Sequence, residues 1–444
     1  IESSRYSYSV DIKYDRKIVG TFPAAGVLDM KSATDFNIMR FHGDDFTNSG
    51  GKEFRYFLLD FHSNRSDKQY GYYKAGTGSD TVNVRVIKDD TRYYYIFNGV
   101  YEFSVDLDWL GGKTVPGFYT FDAEVELRLE ISGASHSERI SIRMEGVPAG
   151  IPLCADDFRA DLDARRAGAM GTTPRRESDT PEIEGTVDGQ TDGSAITISF
   201  RNENTRSGDY SQFRRHPRPS HVDFVADRKY GEAIDLRGSG QFSGRMTVAL
   251  VAAGVVAKKI LGDGIRFTTG IIEIGGCRDR ERFDEIIMDA VADGDSVGGV
   301  VECRVEGLPI GLGEPFFDSA ESIISHLLFS VPAVKGVEFG SGFEGVRLRG
   351  SQRNDRIVDA DGTTATNNEG GINGGLTNGN PLVVRAAVKP TPSIAQPQET
   401  FDFGIGRVGT LVIGGRHDSC IVLRARIVIE AVTAIALAEL KLMS

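Results

Sequence analysis

Cysteine is scarce in this chain: four residues among 444, at positions 154, 277, 303 and 420, with no CxxC pair. That scarcity excludes a disulfide scaffold and the usual zinc-ligand spacings. It leads to the expectation of reduced thiols in a cytoplasmic protein. Long apolar runs are also missing. The longest, Val248 to Ala257, falls well short of the ~20 residues that a bilayer-crossing helix needs. Positive charge is in deficit, with 51 Lys+Arg against 63 Asp+Glu and a net charge of −12. An acidic balance excludes general affinity for nucleic acid or an anionic membrane, yet leaves room for one small basic pocket. No GxGxxG, GxxxxGK[ST], HExxH or nucleophile-elbow motif is present, so dinucleotide-fold, P-loop, zincin and α/β-hydrolase readings fail. What remains, 40% hydrophobic and 26% charged, is the composition of a globular protein rather than a disordered, collagenous or coiled-coil one.

The aromatic residues divide the chain. Of 14 tyrosines, 12 precede residue 127, as does the single tryptophan, Trp109; of 15 prolines only Pro23 and Pro116 do. This segregation places a boundary near residues 126 to 131 and predicts two domains, 1–126 and 127–444. In the first, Tyr93 to Phe97, Val100 to Leu107 and Gly117 to Leu129 combine β-branched and aromatic residues with partial alternation, broken by Gly- and Asn-rich loops. Short strands at that spacing predict an all-β sandwich. The stretch IFNGVYEFSVDLDWLGGKTVPGFYTFDAEVEL resembles the closing strands of a concanavalin-like jelly roll. The second part mixes periods. TVALVAAGVVAKKIL, Thr247 to Leu261, predicts a helix ended by Gly262, and Phe283 to Ala292, Ser319 to Phe329 and Arg426 to Leu442 predict others. Strands are expected at Ala195 to Phe200, Gly298 to Glu306 and Pro381 to Val388, and a turn-dense loop at Asn367 to Gly379. The fold class is therefore α+β.

Three features carry chemistry. Arginines cluster at Arg165-Arg166, Arg175-Arg176 and Arg214-Arg215, with Arg218, Arg237, Arg245 and Arg416 beyond them. Their forked donors suit phosphate and carboxylate. Seven histidines are present, and three have small or acidic neighbours able to fix a tautomer: Ser135-His136-Ser137, Ser220-His221-Val222-Asp223 and Arg416-His417-Asp418. Finally, Arg237-Gly-Ser-Gly-Gln-Phe-Ser-Gly-Arg245 opens directly into the helix from Thr247, a backbone-rich loop suited to an anion.

From about residue 131 onward the chain resembles the chorismate synthase family. The blocks that carry the likeness run in order: GVPAGIPL (146–153), TTPRRE (172–177), RSGDYS (206–211), PRPSHVDF (217–224) and DLRGSGQFSGR (235–245), then GLPIGLGEPFFDS (307–319), SVPAVKGVEFGSGF (330–343), GSQRND (350–355), NNEGGINGGLTNG (367–379), KPTPSI (389–394) and GRHDSC (415–420). QFSGR is similar to the variant of clostridial-type members. The resemblance implies a β-α-β sandwich, a homotetramer, and a 1,4-elimination that turns 5-enolpyruvylshikimate 3-phosphate into chorismate and phosphate. It implies reduced FMN as cofactor, reduced by NADPH in some members of the family and supplied reduced from outside in others. Matched residue by residue, it implies proton-handling roles for His136, His221 and Asp418. Flavin contacts fall on Gln241, Phe242, Ser243, Pro332, Ala333, Gly374, Lys389, Pro390, Thr391, Pro392, Ser393 and Arg416, and phosphate contacts on Arg165, Arg175 and Arg176.

The chain departs from the family at Gly133-Ala134-Ser135-His136-Ser137, where GESHG is usual, and at Ser220 and Ser419, where glycine and proline are usual. An arginine of the family falls near Met170 here. Two other readings stay open on sequence alone: a flavin-binding relative with impaired turnover, and a carbohydrate-binding protein defined by its first part.

Overall fold

The computed structural model describes residues 127–174, 177–203, 212–231, 237–415 and 417–444, with the backbone of six strands between residues 27 and 98. The chain divides into two compact units, one of Asp11–Glu124 and one of Val125–Ser444 with Ile1–Val10. In the first, Val27–Ala33, Phe36–Thr47 and Glu53–Phe61 pair antiparallel in chain order, and so do Tyr72–Ala75, Val82–Asp89 and Arg92–Asn98. The strand expected at Tyr93 to Phe97 falls inside the last of these. Val100 to Leu107, and nearly all of the stretch that resembles a jelly roll, lie outside the described residues.

The second unit is built of two antiparallel sheets and the helices between them. The first sheet runs Arg128–Gly133, Arg139–Glu145, Ile196–Arg201, Glu182–Glu184; the second runs Arg266–Ile274, Gly299–Glu306, Leu382–Val388, Val334–Phe339. Alternation points one face of each strand inward. In Arg139–Glu145 it is Ile140, Ile142 and Met144 that are buried, and Ile142 stands opposite both Ile131 and Ile198. The helix Thr247–Leu261 packs on Arg139–Glu145 and Ile196–Arg201, and the C-terminal helix Val422–Met443 packs on the strands of the second sheet. These two helices also pack on each other. Sandwiched in this way, they have no solvent face, which is why their sequences are apolar nearly all round. Val256, Ile429 and Val432 are fully buried, each contributing about 1.5–3 kcal/mol by its removal from water.

One glycine sets how closely the helices approach. An added Cβ on Gly254 would stand 2.6 Å from Ala431 Cα, so the absence of a side chain there lets the backbones meet. At the far end, buried Glu439 accepts the Leu127 N–H at 2.7 Å and ties the start of the unit to its last helix. Helix ends differ by a few residues from the sequence expectations, for local reasons. Ser319 caps rather than begins its helix, its Oγ accepting the Ser322 N–H at 3.1 Å, so the helix spans Ala320–Ser330. The loop at Asn367 to Gly379 contains a small hairpin, Ile372–Asn373 with Leu376–Thr377, turned by Gly374 and Gly375 at φ 63° and 95°.

Candidate active site

Loops from both sheets and both helices enclose a cavity of about 670 Å³, within the size range of small-molecule sites. His136, His221 and Asp418, far apart in sequence, all line it. So do Gln241, Phe242 and Ser243, Pro332 and Ala333, and Lys389, Thr391, Pro392 and Ser393. Gly374, at the tip of its hairpin, and Pro390 are not among the lining residues. Arg175, Arg176 and Arg416 lie outside the described residues.

Backbone links hold the walls together. The strand Leu382–Val388 runs directly into Lys389, whose N–H donates to Ala333 O at 2.9 Å. That bond fixes the turn after the helix Ala320–Ser330, where Ala333 sits at φ 76°. On the opposite wall, Ser135 N–H donates to Gly240 O at 3.1 Å, and Ser135 Oγ donates to Arg237 O and Gly238 O at 3.0 and 2.8 Å. A Cβ at Gly238 would collide with that hydroxyl. The turn bearing His136 is thereby clamped to the glycine-rich loop.

His221 is held by charge. Its Nδ1 lies 2.7 Å from Asp223 Oδ1, and its Nε2 lies 3.2 Å from Ser239 Oγ. Asp223 is fully buried and takes two hydrogen bonds from the Arg218 guanidinium, Nε to Oδ2 and Nη2 to Oδ1, both at 2.7 Å. Arg218 Nη1 reaches on to Ser393 Oγ at 2.9 Å. This network holds the Asp223 carboxyl far below the ordinary range, against the cost of burial and through its bonds to Arg218 and His221. Burial lowers the pKa of His221 in spite of the Asp223 bond, because Arg218 already balances that carboxylate. At neutral pH the ring is therefore neutral, with its proton on Nδ1 toward Asp223.

Asp418 is positioned differently. Its carboxylate pairs with Arg424 Nη1 at 3.1 Å and accepts the Thr173 N–H at 2.9 Å. The adjacent acid does not orient His417, whose Nε2 lies 3.3 Å from Gly414 O. Arg165, expected to hold phosphate, lines the cavity but is buried and committed. Its Nε donates to Thr247 Oγ1, Nη1 to Asp179, and Nη2 to Gly244 O and Arg245 O. Burial and the nearby Arg424 bring its pKa down to about 9. Arg245 ion-pairs with the same Asp179. Arg166 faces outward toward Asp163, and Arg214 toward Asp227.

Sequence reasoning missed Asp223, Ser239, Lys335 and Arg424 as site residues, and it flagged His417, which also lines the cavity, without giving it a role. For Asp223 the signal was present, two residues after a flagged histidine. For Ser239 and Arg424 the signal lies in contacts made only by folding. Among the lining residues are seven cations and one carboxylate, Asp418; Arg165, Arg218, Arg245 and Arg424 pair with Asp179, Asp223 or Asp418, and Arg237, Lys335 and Lys389 add positive charge where an anion would bind.

A family model described as chorismate synthase matches residues 127–442. The chain belongs to the chorismate synthase family. A curated chorismate synthase of Chitinophaga pinensis is 55% identical over 317 residues, which cover 71% of this chain and 95% of that protein. One of Korarchaeum cryptofilum is 43% identical over 343 residues, with the same two coverages of 71% and 95%. A crystal structure of chorismate synthase matches with TM-score 0.55 and 28% identity, covering 70% of this chain and 90% of the other. The α+β reading and the assignment as a lyase of this family, acting on a small phosphorylated substrate, stand. The carbohydrate-binding reading gains nothing, since nearly all of the stretch that carried it lies outside the described residues. No helix among the described residues is long and apolar enough to cross a membrane.

Proposed function

We propose that the second unit converts 5-enolpyruvylshikimate 3-phosphate to chorismate and phosphate in this cavity, with reduced FMN bound beside the substrate. The observation that carries the reading is the meeting of His136, His221 and Asp418 in one cation-rich cavity. The residues present fit a flavin mononucleotide. Phe242, Val331 and Pro332 supply an apolar wall for a flat ring system. Lys335 and Lys389 supply cations for its phosphate or the substrate's. Burial and the neighbouring Lys335 lower the pKa of Lys389, a cost that a bound phosphate would offset. The hydroxyls of Ser243, Thr391 and Ser393 complete the donor set.

When bound, reduced FMN supplies the transient electron density that the elimination requires. The chain's own groups do the rest. His221, neutral and held at Nδ1 by Asp223, offers Nε2 as a proton acceptor, so it takes up a proton before it gives one. The Asp418 side chain is held between Arg424 and the Thr173 N–H. Lys335, Lys389 and Arg237 face the charge of the departing phosphate.

The first part, read as 1–126 from sequence and compact over Asp11–Glu124, is in this reading a domain that flavin binding does not need. Large apolar side chains left exposed on the second unit, among them Phe343, Val346 and Ile357, support a homotetramer. The four free cysteines fit residence in the cytoplasm. Anaerobic turnover followed by chorismate absorbance tests the activity, with photoreduced FMN in one arm and FMN plus NADPH in another. The His221→Ala chain is expected to turn over about 10²–10⁴-fold more slowly. His326, exposed on the helix Ala320–Ser330 and absent from the cavity wall, serves as control. Equal turnover by His221→Ala and His326→Ala chains would defeat the assignment.

A further inference from the structure

The glycine-rich loop holds one residue that is not glycine where glycine would be easiest. Gly238 and Ser239 are both left-handed, at φ 60°, ψ 23° and φ 69°, ψ 13°. A residue with a Cβ pays a steric penalty there that glycine does not, and such outliers persist where surrounding structure and function demand them. At Ser239 the demand is visible. Its Oγ stands 3.2 Å from His221 Nε2, on the cavity wall. The other ring nitrogen is already taken by Asp223 at 2.7 Å. With the proton on Nδ1, Nε2 carries a lone pair, and the hydroxyl of Ser239 is the donor that meets it. Ser135 clamps the loop from behind through Arg237 O and Gly238 O, so the hydroxyl is carried on a fixed backbone.

We propose that Ser239 is a positioning residue for His221. Its strained backbone is retained because the hydroxyl fixes the imidazole plane through Nε2, turning from donor to acceptor when that nitrogen takes up a proton. The inference rests on the reading that His221 handles a proton in the reaction.

The two effects of Ser239 separate by substitution in the full chain. Ser239→Gly removes strain and hydroxyl together, and Ser239→Ala removes the hydroxyl but keeps the strain. The glycine variant is expected to melt about 1–2 °C higher than the parent, and the alanine variant no higher. Both should lose about tenfold in kcat with KM for the phosphorylated substrate within about twofold. A loop residue with only a structural role would make kcat follow stability instead. In the double variant Ser239→Gly/His221→Ala, turnover should equal that of His221→Ala alone, since one group acts through the other. A Ser239→Gly chain with parental kcat, or a loss that multiplies fully onto His221→Ala, overturns the proposal. Parental turnover by His221→Ala alone would mark instead a failure of the His221 reading, and the proposal would fall with it.

Discussion

Replacing Asp223 by asparagine removes one negative charge from a site without solvent. Asp223 is fully buried and Arg218 is 4% exposed. The carboxylate accepts three charge-assisted bonds at 2.7 Å, two from the guanidinium and one from His221 Nδ1, and a fourth from the Arg218 N–H at 3.2 Å. An asparagine has one acceptor oxygen, so at least one of these donors would face an NH₂ group, and the guanidinium would be buried without a counterion. Breaking a buried pair from one side costs about 3–5 kcal/mol, which is the expected deficit in urea unfolding at pH 7. Its pH dependence has a definite sign. Because the folded-state pKa of Asp223 lies below the ordinary value, the parent's advantage is complete above about pH 4 and fades as the pH falls below it. Stability of parent and variant should therefore converge in acid. Turnover per folded molecule should fall ~10²-fold, since the one remaining oxygen is a neutral, weaker acceptor contested by Arg218 and His221 and no longer fixes the ring's tautomer. A deficit under about 1 kcal/mol at pH 7, or one that stays constant into acid, would refute the charged network as drawn.

Other changes test the packing and the strained turns. Gly254→Ala should lower stability by a net ~1–2 kcal/mol in chemical unfolding, because overpacking against Ala431 outweighs the helix-propensity gain; a stabilised variant would show that the helices do not meet there. Ser220 sits at φ 57°, so Ser220→Gly should gain about 0.5–1 kcal/mol by calorimetry, and a lower Tm would contradict the strain. Asp318 is fully buried with neither carboxyl oxygen hydrogen-bonded, and burial pushes its pKa up to about 6. Its ionisation therefore destabilises the fold increasingly as pH rises from about 4 through 6. Asp318→Asn should match the parent at pH 4 and exceed it at pH 8 by about 1–2 kcal/mol, allowing for screening at the exposed turn beside it. An equal gain at both pH values would exclude ionisation as the cause.

The elements legible from sequence are those whose causes are local. The helix Thr247–Leu261 has the predicted ends because its apolar period and Gly262, at φ 88°, act within one segment. The C-terminal helix shows the limit. The apolar pattern starts it at Arg426, whereas it begins at Val422, since the charged first turn around Arg424 is not surface. Arg424 reaches Asp418 and the Arg165 carbonyl, and Arg426 the Thr269 carbonyl, the last two 259 and 157 residues away. Likewise Arg165 reads as a phosphate ligand in isolation and is consumed by Thr247, Asp179 and the Gly244 and Arg245 carbonyls once folded.

At the site, ordered blocks of sequence point to His136, His221 and Asp418, and the fold brings all three to the wall of one cavity. Folding decided what each can do. His221 becomes a neutral ring because burial disfavours its charge and Arg218 already balances the Asp223 carboxylate that would favour it. Asp418 is fixed by Arg424 and a backbone N–H from Thr173, 245 residues distant. Composition and periodicity record which residues prefer water and which turn a helix, and those are properties of neighbours in the chain. A protonation state depends on charges a few ångströms away in space, and only tertiary structure brings those charges together.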